Sequence, residues 1–319
     1  MKKIFSLMLF GGCVWMSHAQ PFAPQAGEEG STAIHKDSEL FVAWATGIEL
    51  QRGYQNISNP DLGYATGGEP EYALGYPDGS VVSLGDRGEA MLTFDLPIED
   101  KPGFDFAVFE NGSVGYLELA VVEISSDGVN YFRFPAVSAT QTDEQIGTFG
   151  TPVATDLHNL AGKYIGKYGT PFDISDINDS PLLDKSQIRY VKIIDVVGSI
   201  DENYGTFDSE GNIINDSYPT PFPTGGFDLQ AVGVIHQGVP NALDGNVFQS
   251  LQIYPNPFEN QVFIEGIEPA DLSITIYNMQ GEICLQISND QINTSGLPSG
   301  VYMLRLETQG KQVFQKMVK

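Results

Sequence analysis

Apolar residues along this chain follow the period of a strand, with side chains alternating between two faces. Residues 90–96, 104–109, 117–124, 131–134, 188–197 and 227–235 are alternating or wholly apolar. Turn formers bracket most of them: Gly85-Asp-Arg-Gly88, Pro102-Gly103, Asp127-Gly128 and Gly225-Gly226. Short strands at this spacing predict an all-β sandwich. No stretch carries a sustained helical period, though residues 156–164 admit one short helix. Residues 237–245 are rich in Gly, Pro and Asn and read as the start of a linker, 237–250. Beyond it, 272–277, 283–287, 301–306 and 313–318 form a second set of strands with turns at Met279-Gln-Gly281 and Gln309-Gly310. They predict a small immunoglobulin-like β-sandwich, residues 251–319, after a larger sandwich at 20–236.

The second set also carries ordered motifs. Tyr254-Pro-Asn-Pro257 opens it, Gly300-Val-Tyr-Met-Leu-Arg-Leu306 follows, and Lys316-Met-Val-Lys319 closes it. In this order they resemble the type A C-terminal sorting domain of the type IX secretion system of Bacteroidetes. The resemblance implies a partnership with that secretion machinery and delivery to the outer-membrane surface or the exterior. The N-terminus agrees independently. Lys2 and Lys3 precede an apolar run, residues 4–16, and Ser17-His18-Ala19 supplies a cleavage site. Residues 1–19 read as a signal peptide, since the run is shorter than the roughly 20 residues of a membrane span.

Cleavage after Ala19 would remove Lys2 and Lys3. Lys+Arg falls from 16 to 14 against 41 Asp+Glu, so the formal charge moves from −25 to −27. Such a chain repels phosphate backbones, which excludes nucleic acid as a partner class. Cys13 leaves with the signal and Cys284 remains alone, so no intrachain disulfide or thiolate zinc site can form.

Val122-Glu-Ile-Ser-Ser-Asp-Gly-Val-Asn-Tyr131 and Ile188-Arg-Tyr-Val-Lys-Ile193, in that order, are similar to segments of discoidin-type, galactose-binding-like domains. That resemblance implies an N-terminal jelly-roll β-sandwich. Ala73-Leu-Gly75, Asp105-Phe-Ala-Val-Phe-Glu-Asn-Gly112, Tyr168-Gly-Thr-Pro-Phe172 and Thr224-Gly-Gly-Phe-Asp-Leu229 resemble a group of secreted bacterial cell-surface proteins. This second resemblance speaks to location and fold and transfers no catalytic residue.

Three groups of residues offer chemistry. Asp195, Asp201, Asp208, Glu210, Asn212 and Asp228 lie in or beside one oxygen-rich loop region. Calcium takes six to eight such oxygens from flexible loops, so they are candidate calcium ligands; a solvated acidic loop is the competing reading. Glu110 and Asn111 end an apolar strand, which would place them at the sandwich rim to bond a sugar hydroxyl or ligate calcium; an Asn-Gly turn with Glu110 exposed is the competing reading. Trp44, Tyr54 and Tyr64 stand near Gly- and Asn-rich segments, where ring faces could stack on sugars; packing as a cap on the sandwich is the competing reading. His35, His158 and His236 sit in unrelated segments with no zinc or nucleophile motif.

The expectation is a secreted or cell-surface binding protein, not an enzyme, holding a glycan or other nutrient ligand at the rim of a β-sandwich. A glycan-acting hydrolase with paired carboxylates and a purely structural or adhesive surface protein stay open as alternatives.

Overall fold

The computed structural model describes residues 22–238, 251–266, 272–287, 291–308 and 311–319. The expected signal peptide and residues 239–250 of the expected linker lie outside them. The chain divides into two compact units after Gln237. Gln237 bridges Ile98, so this first residue of the expected linker belongs to the first unit. Among the described residues every paired strand is antiparallel, and no helix is long and apolar enough to cross a membrane.

The first unit is a sandwich of two antiparallel sheets. One sheet runs in the order Ile34–His35, Tyr168–Phe172, Phe106–Glu110, Asp228–Val234, Ala43–Trp44, with Val82–Ser83 also paired to Asp228–Val234. The other runs Gly47–Gln51, Glu89–Ile98, Ile188–Asp195, Ala120–Ser125, Phe132–Arg133. Alternation explains the packing. Phe106, Val108, Val232 and Val234 face the core between the sheets together with Ala90, Leu92, Val122, Ile124, Val191 and Ile193. Phe106, Phe134 and Phe172 form its aromatic centre, with ring centroids 4.9 to 5.7 Å apart. Truncating one such ring would cost about 3–5 kcal/mol.

Phe106–Glu110 and Asp228–Val234 are buried along their whole length, which accounts for their near-continuous apolar sequence. Their second face carries Ala107, Phe109 and Ala231, and Phe41 and Trp44 cover it. The sequence-predicted helix at 156–164 is absent. Ala154–Asp156 makes one 3-10 turn, and Leu157–His158 is a short strand paired to Val137–Ser138. Asn159 at φ 48° and Gly162 at φ 83° take the left-handed region, which ends any right-handed helix.

The second unit packs Gln252–Tyr254, Gln261–Glu265 and Gln291–Asn293 against a four-stranded sheet of Ile283–Ile287, Ser273–Asn278, Val301–Thr308 and Lys311–Val318. Phe258, Val262, Ile264, Ile274, Leu304 and Met317 are in its core. Cys284 is half-buried against that core with a free thiol.

Candidate ligand rim and the sorting domain

Three loops at one end of the first sandwich are bonded into a single rim. Gly53 and Tyr54 lie against the turn at residues 84–88: the Gly53 N–H donates to Leu84 O at 2.7 Å and the Asp86 N–H to Tyr54 O at 2.7 Å. Gly53 is required there, because a Cβ would overlap the Asp86 carbonyl oxygen. The Ala65 N–H donates to Gly53 O at 2.9 Å, so residues 53–65 double back and place Tyr64 beside Tyr54. Their rings stack at 4.8 Å and 20°. Tyr64 is 55% exposed.

The N–H groups of Thr66 and Gly67 both donate to Pro223 O, at 2.7 and 2.8 Å, which brings the next loop alongside. Beside Pro223, Phe222 stacks on Phe149 at 6.1 Å and 24°. Phe149 is 78% exposed. Tyr218 joins the same loops: its hydroxyl donates to Asn56 Oδ1 at 3.2 Å and its N–H to Ile146 O at 3.0 Å. Two exposed ring stacks therefore stand on one hydrogen-bonded platform. Phe149, Tyr218 and Phe222 were not singled out from sequence. Their phenylalanine and tyrosine rings in Gly-, Pro- and Thr-rich segments were the available signal.

Trp44 is not part of this rim. It packs on Phe41, Phe109 and Tyr76 at 5.0 to 5.6 Å and covers the outer face of the first sheet, so the competing cap reading describes it.

Buried carboxylates tie the loops down from beneath. Asp86 Oδ2 accepts the Ile57 N–H at 2.7 Å. Asp195 accepts the N–H groups of Phe227 at 2.7 Å and Arg87 at 3.1 Å. Asp216 accepts those of Leu119 at 2.9 Å and Ser217 at 2.7 Å. Burial pushes Asp86 up to about 6 and Asp216 up to about 7, with the accepted N–H bonds pulling the other way. Asp195 is also raised, by burial and by the nearby Asp86.

Glu110 does not emerge at the rim. It is 2% exposed and its Oε2 accepts the Gly112 N–H at 2.6 Å. The adjoining Asn111 is exposed and its amide donates to Asp228 Oδ2 at 3.1 Å, while the Ser83 hydroxyl donates to Asp228 Oδ1. Glu118 joins this group, and Tyr116 OH donates to its Oε1 at 3.0 Å. Burial first, then the neighbouring Asp228, lifts Glu110 and Glu118 well above the ordinary carboxylate range. Glu118 and Asp86 were missed in the sequence, although Glu118 stands out as one acid between Leu117 and Leu119.

The structure does not assemble the predicted calcium ligands. No three of the carboxylates Asp195, Asp201, Asp208, Glu210 and Asp228 bring oxygens within 4.8 Å of one another. Asp208 spends its oxygens on the N–H groups of Glu210, Asn212 and Ser138, at 2.8 to 3.1 Å, and on the Asn212 amide at 3.3 Å. Asp201 accepts from the backbone and side chain of Asn203, and Glu210 and Asn212 are exposed. These loop residues form turns of their own, apart from the strand-borne Asp195 and Asp228, so the set does not fit a single calcium ion. Among the described residues the carboxylate trio within 4.8 Å is Asp100, Asp105 and Asp173. There Asp105 already accepts from Ile174, Lys101 and His236, and Lys185 lies 4.0 Å from Asp100.

In the second unit the three sequence motifs meet. The Asn256 amide donates to Lys316 O at 2.9 Å and its Oδ1 accepts the Val318 N–H at 2.9 Å. Phe258 N–H donates to Val318 O at 2.8 Å, and Gly300 exchanges both backbone bonds with Lys319. The Lys319 ammonium donates to the carbonyl oxygens of Thr294 at 2.7 Å and Leu297 at 2.6 Å. Residues 252–319 match the family described as the secretion system C-terminal sorting domain. The second unit is a type IX sorting domain. Its presence implies export to the outer-membrane surface or the extracellular space.

No curated protein matches the chain. Several solved structures align with it, among them two at low similarity. One is PorZ, described as an essential bacterial surface component of the type IX secretion system of Porphyromonas gingivalis, at 12% identity over 75% of this chain and 30% of that one, TM-score 0.20. The other is the β-glucuronidase of Faecalibacterium prausnitzii, at 11% identity over 90% of this chain and 46% of that one, TM-score 0.20. The chain spans less than half the length of either, and superpositions this loose carry no functional argument.

Proposed function

We propose that this chain is a surface-delivered binding protein whose first unit holds a glycan or another nutrient ligand on its aromatic rim. The sorting domain supplies the delivery. The observation that carries the binding reading is the pair of exposed ring stacks, Tyr54–Tyr64 and Phe149–Phe222, on mutually bonded loops. Phe149 is 78% exposed and stacks on Phe222, so the two rings present a joint apolar surface to solvent. Flat ring faces in such a position match the apolar faces of sugar rings or other planar ligands. The strongly raised acids Glu110 and Glu118 are 2% and 6% exposed, which leaves them little access to a substrate.

The full-length protein should be screened against glycans and scarce small nutrients alongside Tyr64→Ala and Phe149→Ala. The expected result is at least one ligand whose affinity falls about tenfold or more in each variant, as loss of a stacked ring commonly gives. Binding indifferent to both substitutions, or no ligand across the screen, would overturn the rim reading. Release of new reducing ends from a bound glycan would favour a hydrolase instead.

A further inference from the structure

We infer that the first unit has a second binding site, on the open face of the Gly47–Gln51, Glu89–Ile98, Ile188–Asp195, Ala120–Ser125, Phe132–Arg133 sheet, for an uncharged polyhydroxylated ligand. It is separate from the aromatic rim and does not rest on it.

The site follows from register. Leu92, Val191 and Ile124 face the core, so their neighbours in sequence face outward. Pairing then lines up Glu49, Met91, Lys192, Glu123 and Arg133 as one row across all five strands. The far end of the row is closed. Arg133 donates twice to Glu123 Oε1, through Nε at 3.0 Å and an Nη at 2.9 Å. The near end is open and forms a groove of about 360 Å³ lined by Glu49, Gln51, Glu89, Met91, Tyr131 and Lys192.

Tyr131 makes the wall. It comes from the turn before Phe132–Arg133 and leans over the row. Its hydroxyl donates to Met91 Sδ at 2.8 Å, and Lys192 Nζ sits 3.8 Å from its ring centroid. That ammonium also lies 3.9 Å from Glu89. The wall is thereby held in place before any ligand arrives, which lowers the ordering cost of binding.

The ligand class follows from elimination by charge. Glu49 and Glu89 against Lys192 leave the groove net negative, on a chain of formal charge −25, which disfavours anions. A cation would meet the Lys192 ammonium at the floor. An uncharged ligand rich in hydroxyls suits the polar groups, which outnumber the apolar Leu50 and Met91. Glu49 and Glu89 accept O–H donors through charge-assisted bonds, Gln51 does both, Lys192 donates, and Tyr131 offers an aromatic wall. An apolar ligand would strand these polar groups without partners.

The test uses the full-length protein in native gels cast with dextran, xylan or galactomannan, and with heparin as the anionic comparison. At least one neutral polysaccharide should retard the wild-type chain, and heparin should not. Tyr131→Ala should weaken that retardation about tenfold or more. Because Tyr131 also packs on the sheet, Glu49→Ala and Gln51→Ala, both at exposed positions, are the second arm, and each should weaken it severalfold while the melting temperature holds. Tyr64→Ala should leave the groove's share of binding in place. The inference is overturned if no neutral polysaccharide retards the protein, if heparin alone does, or if Tyr131→Ala, Glu49→Ala and Gln51→Ala all bind as the wild type.

Discussion

Asn256 and Val318, 62 residues apart, are joined by a 2.9 Å bond from the Val318 N–H to the Asn256 side-chain oxygen. The same amide donates to Lys316 O, so one asparagine grips the last strand from both sides of Met317. The opening and closing motifs of the sorting domain are thus two halves of one contact. Asn256→Ala should destabilise the second unit by about 0.5–1.5 kcal/mol through loss of two exposed side-chain-to-backbone bonds. Limited proteolysis should show earlier cleavage in the second unit, with the first unit unchanged. Asn256→Asp keeps the acceptor, loses the donor and should fall between. Equal protease resistance of all three proteins would remove the clamp from the account of this domain.

Stability should fall as pH rises from 5 to 8. Burial raises Asp86 to about 6 and Asp216 to about 7 in the folded chain, and raises Glu110 and Glu118 as well. Unfolded carboxyls titrate near 4. The folded state therefore holds more protons between those values. The stabilisation is complete below about pH 4 and is lost as pH climbs through the folded values, at about 1.4 kcal/mol per pH unit for each such group. Urea midpoints at pH 5, 6, 7 and 8 would reveal the slope, and Glu118→Gln should flatten it while still accepting from Tyr116 OH. A midpoint that rises across this range would contradict the upward shifts of these buried carboxyls.

Asp208→Ala should lower stability by about 1–3 kcal/mol, because it leaves backbone N–H groups of Ser138, Glu210 and Asn212 without their acceptor. The loss should be the same in chelator and in millimolar calcium. A melting temperature that climbs with calcium in the wild type and not in Asp208→Ala would restore this loop as a cation site.

Gly53→Ala should damage the rim more than a surface substitution would. The added methyl meets the Asp86 carbonyl and Gly88 N–H, both backbone atoms that cannot swing away. The expected cost is about 1–3 kcal/mol, as for overpacking elsewhere. Tyrosine fluorescence should also change as Tyr54 and Tyr64 separate. A variant with wild-type melting and fluorescence would show that the loop has room this geometry denies it.

The two-sandwich organisation was legible along the chain because strand alternation is local. Ala90 and Leu92 point to the core, and Glu89, Met91 and Thr93 point away, by the period of the backbone alone. The sorting motifs were legible for a similar reason, since their residues are short and ordered in sequence. The expected helix at 156–164 misled because composition does not reveal that Asn159 and Gly162 take positive φ. What only the tertiary structure decided is which polar groups meet. Glu110 at a strand end reads as a rim residue, yet burial depends on what folds over it. Asp208 and Asp195 look alike as acids in one region, yet each is claimed by N–H donors from different loops. Phe149 meets Phe222 where the Tyr218 N–H is bonded to Ile146 O and the Ser217 hydroxyl to Gly150 O. Such meetings depend on several chain segments at once, and a period along one segment cannot encode them.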